Sequence, residues 1–172
     1  MKKSIFTEGL ARYFSQDQLH ILSQAKIGIA GAGGLGSNCA MMLARCGVGH
    51  FVLVDHDVVD ASNLNRQHFF PQHLGQLKVD ALKEQMLEIS DSIQIDAIAQ
   101  HLHAENIQSI FASCSLVVEA VDLASTKALL TQELLTCGKT VVAASGMAGW
   151  GGHGMQKKEF GSRLIIVDKF KR

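Results

Sequence analysis

KIGIAGAGGLG, residues 26–36, and HFVLVDHDVVDASNLNRQ, residues 50–67, decide the fold of this chain. The apolar run 27–30 feeds directly into Gly31, Gly33, Gly34 and Gly36. A strand that ends in closely spaced glycines and restarts as a helix is the βα turn of a nucleotide-binding unit. Gly31 permits the tight turn, Gly33 lets a phosphate approach the backbone, and Gly36 lets helix and strand pack closely. The free N–H groups at the start of the helix attract an anion. The helical stretch 38–46 stops at Gly47 and Gly49, and residues 51–54 form a continuous apolar run, as a strand buried on both faces does. That run ends in Asp55, roughly 20 residues past the glycines, where an acid accepts hydrogen bonds from ribose hydroxyls.

The glycine pattern serves NAD and FAD as readily as other nucleotides, so the residues after Asp55 carry more of the argument. Asn63, Asn65, Arg66 and Gln67 crowd together where the carboxyl edge of the sheet is expected, beside the glycine turn. GAGGLG, VDHDVV, SNLNRQ, GQLK at residues 75–78 and VVEAVD at residues 117–122 together resemble the ThiF/MoeB family, relatives of the adenylation domains of ubiquitin-activating enzymes. The resemblance runs from Arg12 to about Gly152 and is nearest to short ThiF-type adenylyltransferases acting on the sulfur carrier ThiS.

The resemblance implies a Rossmann-like, doubly wound α/β domain with a mostly parallel sheet and helices on both faces. It implies ATP-dependent adenylation of the C-terminal glycine carboxylate of a small ubiquitin-like carrier ending in Gly-Gly, within thiamine biosynthesis. Arg66 and Lys78 would neutralise phosphates, Asp122 would hold Mg2+, Asp55 would bind ribose, and Gly34 and Asn63 would line the nucleotide. A homodimer is implied, and zinc is not, because the paired zinc cysteines of longer relatives are missing. The family commonly carries an arginine in a pattern like RYxRQ that reaches the neighbouring subunit's nucleotide. This chain reads RYFSQ, with Ser15 at that place and Arg12 as its alternative. It also has Leu123 and Lys127 where the family often has asparagine and arginine after the aspartate. An NAD-dependent oxidoreductase and a non-catalytic scaffold are the rival readings. The first needs a second domain for hydride transfer, and the second sits poorly with Arg66, Lys78 and Asp122 all present.

At 172 residues and 47% hydrophobic, the chain buries one core, so a single domain over 1–172 is expected. Sixteen basic residues balance sixteen acidic ones, which provides no field to draw the protein to nucleic acid or an anionic membrane. No apolar run approaches the roughly 18 residues that span a bilayer, and the N-terminus lacks a signal-peptide core, so the chain reads as cytoplasmic. Cys39, Cys46, Cys114 and Cys137 are isolated and read as reduced, packed thiols.

Residues 4–13 and 16–23 are helix candidates whose apolar residues share a face, forming an N-terminal helical lid over 1–24 packed on the sheet. Residues 68–71 suggest an extended link closing over the site. The stretch 75–89 has helical spacing and begins near Lys78, whose charge opposes the helix dipole unless an anion lies nearby. Residues 92–99 read as a strand and 104–111 as a helix, while His101 and His103 have no third metal ligand near them in sequence. Residues 116–121 form the next strand and 124–135 the next helix, with Asp122 between them as helix cap or magnesium ligand. A strand at 140–144, a glycine-rich loop at 145–154 bordering the channel for the carrier's tail, and a strand at 164–167 complete the expectation.

Overall fold

The computed structural model describes residues 5–144 and 155–168. The 145–154 loop expected from the sequence lies outside the described residues. Two short helices, α1 (Ile5–Leu10) and α2 (Gln16–Gln24), precede alternating strands and helices. These are β1 (Lys26–Ala30), α3 (Gly34–Arg45), β2 (His50–Val54), α4 (Lys78–Ile89), β3 (Gln94–Ile98), α5 (Ala104–Ile110), β4 (Leu116–Glu119), α6 (Ala124–Thr136) and β5 (Thr140–Ala144). A hairpin of β6 (Gln156–Phe160) and β7 (Leu164–Asp168) follows. The sheet order is β3-β2-β1-β4-β5-β7-β6, with every pair parallel except β6 with β7. This is the doubly wound α/β fold that the sequence predicts.

The strand residues alternate between two cores. Ile29, Phe51 and Leu53 face α3 and α4, packing with Met41, Ala44, Leu82 and Met86. Their neighbours Ala30, Val52 and Val54 face α5 and α6, packing with Ile107, Phe111, Leu130 and Leu134. A period of two sends successive side chains to opposite faces, so a continuous apolar run is what a strand covered by helices on both sides requires. Ala30 pairs with Val54 on one side and Glu119 on the other, so the carboxyl ends of these strands form one edge. The strand order reverses about β1, which opens the crevice at which ligands bind in such sheets.

Several expectations change in detail. The first helix is shorter than 4–13, and Tyr13 is exposed. The lid keeps to the amino edge of the sheet: Gly49 donates to the Leu22 carbonyl, His50 to that of Ala25, and Leu10 sits against Gly47. The link after the polar cluster is not extended but turns through a 3-10 segment, Pro71–His73, with Phe69 buried behind it. The sequence reading missed β6, whose QKKEF carries no apolar alternation and is exposed throughout; its pairing with β7 supplies what its side chains do not signal. Of the four cysteines only Cys114 is buried and Cys39 half-buried, while Cys46 and Cys137 are exposed, so the packed-thiol expectation fails for two of them. Both exposed thiols are the C-cap residues of helices, where the chain has already left the apolar face that would have covered them.

Candidate functional site

The glycine turn needs glycine for two separate reasons. Gly31 has φ of 95°, in the left-handed region, and a Cβ there would stand 2.7 Å from the Ala120 carbonyl oxygen on the neighbouring β4 side. A Cβ on Gly36 would run into the Gly31 carbonyl oxygen. The first turn of α3 is thereby pressed against the end of β1, with Gly33 as its N-cap and no side chain accepting from the N–H groups of the helix start. Unused N–H groups and the positive end of the helix dipole make this an anion-binding position.

Around it the polar cluster is stitched down. Asn63 closes the 3-10 turn Ala61–Asn63 by accepting from the Asp60 N–H at 3.0 Å, and its carbonyl receives the Arg66 and Gln67 N–H groups at 3.2 and 2.9 Å. Asn63 therefore positions Arg66. The Arg66 guanidinium donates to the Ser62 carbonyl and to Asn65 Oδ1, both at 3.0 Å, through Nη1 alone, leaving Nε and Nη2 for a ligand. Its Cγ and Cδ lie over Gly34, 3.5 and 3.6 Å from where a Cβ would stand. Asn38 on α3 clamps the two segments by donating to the Gly34 and Arg66 carbonyls at 2.7 and 2.9 Å. Ser37 does the same one residue earlier, donating to Gly33 and accepting from the His68 N–H. Gln67 lies beside Gly33 and is 9% exposed, with an Oε1 that lacks a hydrogen-bond partner.

Asp55 joins the strand edge to the glycine turn. Its Oδ2 accepts from the Ala32 N–H at 2.7 Å and its Oδ1 from the Asp57 N–H at 2.9 Å. Each oxygen keeps a second lone pair for a hydroxyl donor. Lys78 begins α4 with its side chain 7% exposed, and Nζ donates to Asp57 Oδ2 at 2.7 Å. The anion that the sequence demanded near Lys78 is thus, at least in part, Asp57. Two ammonium hydrogens remain for a further acceptor. The Lys78 hydrogen bond and charge, with smaller contributions from His56 and His101, hold the Asp57 carboxyl below the usual range against the opposing effect of partial burial. Sequence reading passed over Asp57, although it stands in the VDHDVV string, because nothing local shows that Lys78 folds back to it.

Asp122 is exposed between β4 and α6. The N-cap of α6 is Leu123, with no side-chain cap, so of the two roles expected for Asp122 the capping one is absent. Lys127, standing where the family often has arginine, is turned inward: Nζ donates to both carboxylate oxygens of Glu119 at 2.8 Å and to the Ala144 carbonyl at 3.0 Å. Glu119 is 2% exposed; burial pushes its carboxyl up, opposed by the Lys127 bond and charge and by the Val121 N–H. At the place of the RYxRQ arginine, Ser15 caps α2, accepting from the Gln18 N–H at 3.2 Å while Gln18 Oε1 accepts from the Ser15 N–H. Asp55, His56 and Asp57 present possible metal ligand atoms within 4.8 Å of one another, a grouping formed by three successive residues past β2. No helix among the described residues is long and apolar enough to cross a membrane.

The ThiF family model matches residues 7–162. The adenylyltransferase and sulfurtransferase UBA4 of Candida glabrata is 38% identical over 127 residues, covering 73% of this chain and 29% of that protein. The adenylyltransferase and sulfurtransferase MOCS3 of Arabidopsis thaliana is 32% identical over 131 residues, covering 74% and 28%. The chain spans under a third of the length of these curated relatives. Among solved structures, E. coli tRNA N6-threonylcarbamoyladenosine dehydratase, TcdA, in complex with ATP superposes with a TM-score of 0.87 at 22% identity, over 95% of this chain and 80% of that one. The same enzyme in complex with AMP gives 0.83 at 27% identity, over 88% and 63%.

Proposed function

Because the chain belongs to the ThiF family, we propose that it binds ATP and adenylates the C-terminal glycine carboxylate of a small ubiquitin-like sulfur carrier, releasing pyrophosphate. The observation that carries this reading is the closure of the Asn63–Gln67 loop over the bare start of α3, which puts Arg66 across Gly34. UBA4 and MOCS3 are named adenylyltransferases, and TcdA has been solved with ATP and with AMP, which supports the nucleotide and the reaction class.

The chemistry suits these residue types. A terminal carboxylate, with a pKa near 3.5, is already ionised at neutral pH, so no general base is required. The difficulty is electrostatic, because an anion must attack the α-phosphorus of a polyanion. The carboxylate oxygen forms a bond to that phosphorus as the bond to the bridging oxygen breaks, and the electron pair leaves with pyrophosphate. The N–H groups of Gly33, Gly34 and their neighbours, the free guanidinium edge of Arg66 and the spare donors of Lys78 hold the phosphates and stabilise the developing charge. Asp55 orients the ribose, and the buried Gln67 packs beside Gly33. Asp122 is a hard oxygen donor left free of a capping role, which fits Mg2+; that ion would neutralise phosphate charge when bound. A ThiS-like carrier ending in Gly-Gly, and with it thiamine synthesis, is the partner we assign, the enzyme acting as a homodimer.

Calorimetry with ATP and Mg2+ against NAD tests the nucleotide. Micromolar NAD binding without an ATP signal would remove the reading. Carrier-dependent ATP–pyrophosphate exchange tests the reaction: Arg66→Ala is expected to slow it about a hundredfold, the loss of one well-placed charge of about 3 kcal/mol. Sequencing the small protein retained by the immobilised enzyme identifies the carrier.

A further inference from the structure

A buried ion pair at the carboxyl edge has no part in the chemistry above. Glu119 ends β4 and is 2% exposed, and the Lys127 side chain in α6 is 17% exposed. Lys127 Nζ donates to both carboxylate oxygens of Glu119 at 2.8 Å and to the Ala144 carbonyl at 3.0 Å. Three acceptors take all three ammonium hydrogens, so Lys127 has no donor left for a phosphate. Nor is stability a sufficient reason for the pair, since apolar residues of similar size often serve a fold as well.

The pair closes a frame around Asp122. That residue is exposed and makes no side-chain hydrogen bond among the described residues, so its place is set through its backbone neighbours. On one side, Glu119 Oε1 also accepts from the Val121 N–H at 3.0 Å, and the chain bends at Asp122. On the other, the Leu123 carbonyl accepts from the Lys127 N–H at 2.9 Å. Lys127 thus grips the residue after Asp122 by its backbone and, through Glu119, the residue before it by its side chain. Ala120 fastens the frame to the glycine turn: its N–H donates to the Ala30 carbonyl at 2.9 Å, and its own carbonyl oxygen lies 2.7 Å from where a Cβ on Gly31 would stand. The bond from Lys127 to Ala144 fastens it to the end of β5. Resting on the ATP reading above, we propose that Glu119 and Lys127 are positioning residues for Asp122, setting the oxygen donor assigned to Mg2+ before the nucleotide arrives. An arginine in place of Lys127, which the family often has, would grip the same two oxygens with a planar fork.

Calorimetry on the full chain with ATP, with and without Mg2+, tests the assignment. The variant Glu119→Leu with Lys127→Met removes both charges and leaves no uncompensated ion, and circular dichroism melts check its fold. It is expected to bind ATP without Mg2+ as wild type does and to need about tenfold more Mg2+ for the tightening that wild type shows, the usual cost of losing a group that orients a metal ligand. Lys127→Arg is expected to keep the wild-type Mg2+ dependence. Adding Asp122→Asn to the double variant is expected to cost nothing beyond Asp122→Asn alone, because effects that pass through one group do not add. Should the double variant lose its fold, Glu119→Gln carries the same comparison, with an expected loss of about threefold. Wild-type Mg2+ dependence in the folded variant tested overturns the proposal. So do additive losses with Asp122→Asn, or an equal loss of ATP affinity with and without Mg2+, which would place the pair with the pocket as a whole. Wild type that binds ATP without any Mg2+ effect sinks this assignment and leaves the ATP reading standing, whereas wild type that ignores ATP overturns both.

Discussion

Gly36 shows how a single position can be decided twice, by conformation nearby and by packing at its own site. Its α-hydrogens are all that fits against the Gly31 carbonyl. Gly36→Ala is therefore expected to force the first turn of α3 away from β1, costing on the order of 1–3 kcal/mol in urea denaturation and weakening ATP binding in the same variant. A melt and an affinity both at wild-type values would contradict the close packing described. Asp57 and Lys78 lead to a pH prediction. Because Lys78 holds the Asp57 carboxyl below its unfolded value, the folded state binds fewer protons there than the unfolded chain does. The resulting stability is present above about pH 4 and is lost as pH falls through the depressed folded value. In Asp57→Asn, stability at pH 7 is expected to drop and the decline below pH 4 to flatten. Acid titrations of both proteins at fixed urea check this, and parallel curves would show that the pair does not contribute.

At the scale of elements, the Glu119–Lys127 pair ties the end of β4, the first turns of α6 and the end of β5 into one unit, because Lys127 also reaches the Ala144 carbonyl. Removing one partner of a buried pair leaves an uncompensated charge and costs about 3–5 kcal/mol, whereas replacing both with apolar residues of similar size is often close to neutral. Lys127→Met is expected to destabilise strongly, and Glu119→Leu with Lys127→Met to recover most of the loss. The single variant also has a pH signature. Glu119 already has a raised carboxyl, and without Lys127 it rises further, so the variant regains stability as pH falls through that raised value. Equal losses in single and double variants would mean that the pair is not the source of the cost. The capping box of α2 is a smaller case: Ser15→Ala is expected to cost about 1 kcal/mol with no effect on exchange, since Ser15 serves its own helix.

At the scale of the whole molecule, the crossovers run each helix back from the carboxyl edge to the amino edge of the sheet. Cys46 and Cys137 cap the ends of α3 and α6, so both exposed thiols lie at the edge opposite the glycine turn. Burial raises the thiols of Cys39 and Cys114, which disfavours their thiolates. On the adenylation proposed above, the reaction is expected to stop at the acyl-adenylate, with no thioester to these cysteines. A non-reducing gel with intact mass after incubation with ATP and carrier checks this. A thiol-sensitive adduct abolished by one Cys→Ala change would refute it.

What could be read without coordinates was whatever local chain chemistry controls. Glycines that only a strand–turn–helix accommodates, apolar runs that only a doubly covered strand justifies, and an acid at the end of the second run lead to the α/β fold and to the glycine turn at which we propose a phosphate binds. Arg66 and Asn63 were singled out by the family resemblance; the contacts the structure gives them, to Ser62, Asn65 and Asp60, are all within a few residues in sequence. The rest depends on contacts between segments far apart in sequence. Lys78 meets Asp57 across 21 positions, Lys127 turns inward to Glu119 rather than out to a ligand, and His56 meets His101 through the pairing of β2 with β3. β6, with no apolar pattern of its own, is a strand because β7 lies beside it. Side-chain periodicity reports which face a residue takes within its own element, and it carries no information about which distant charge or ring will stand opposite; that is set only when the sheet assembles and brings the strand ends to one edge.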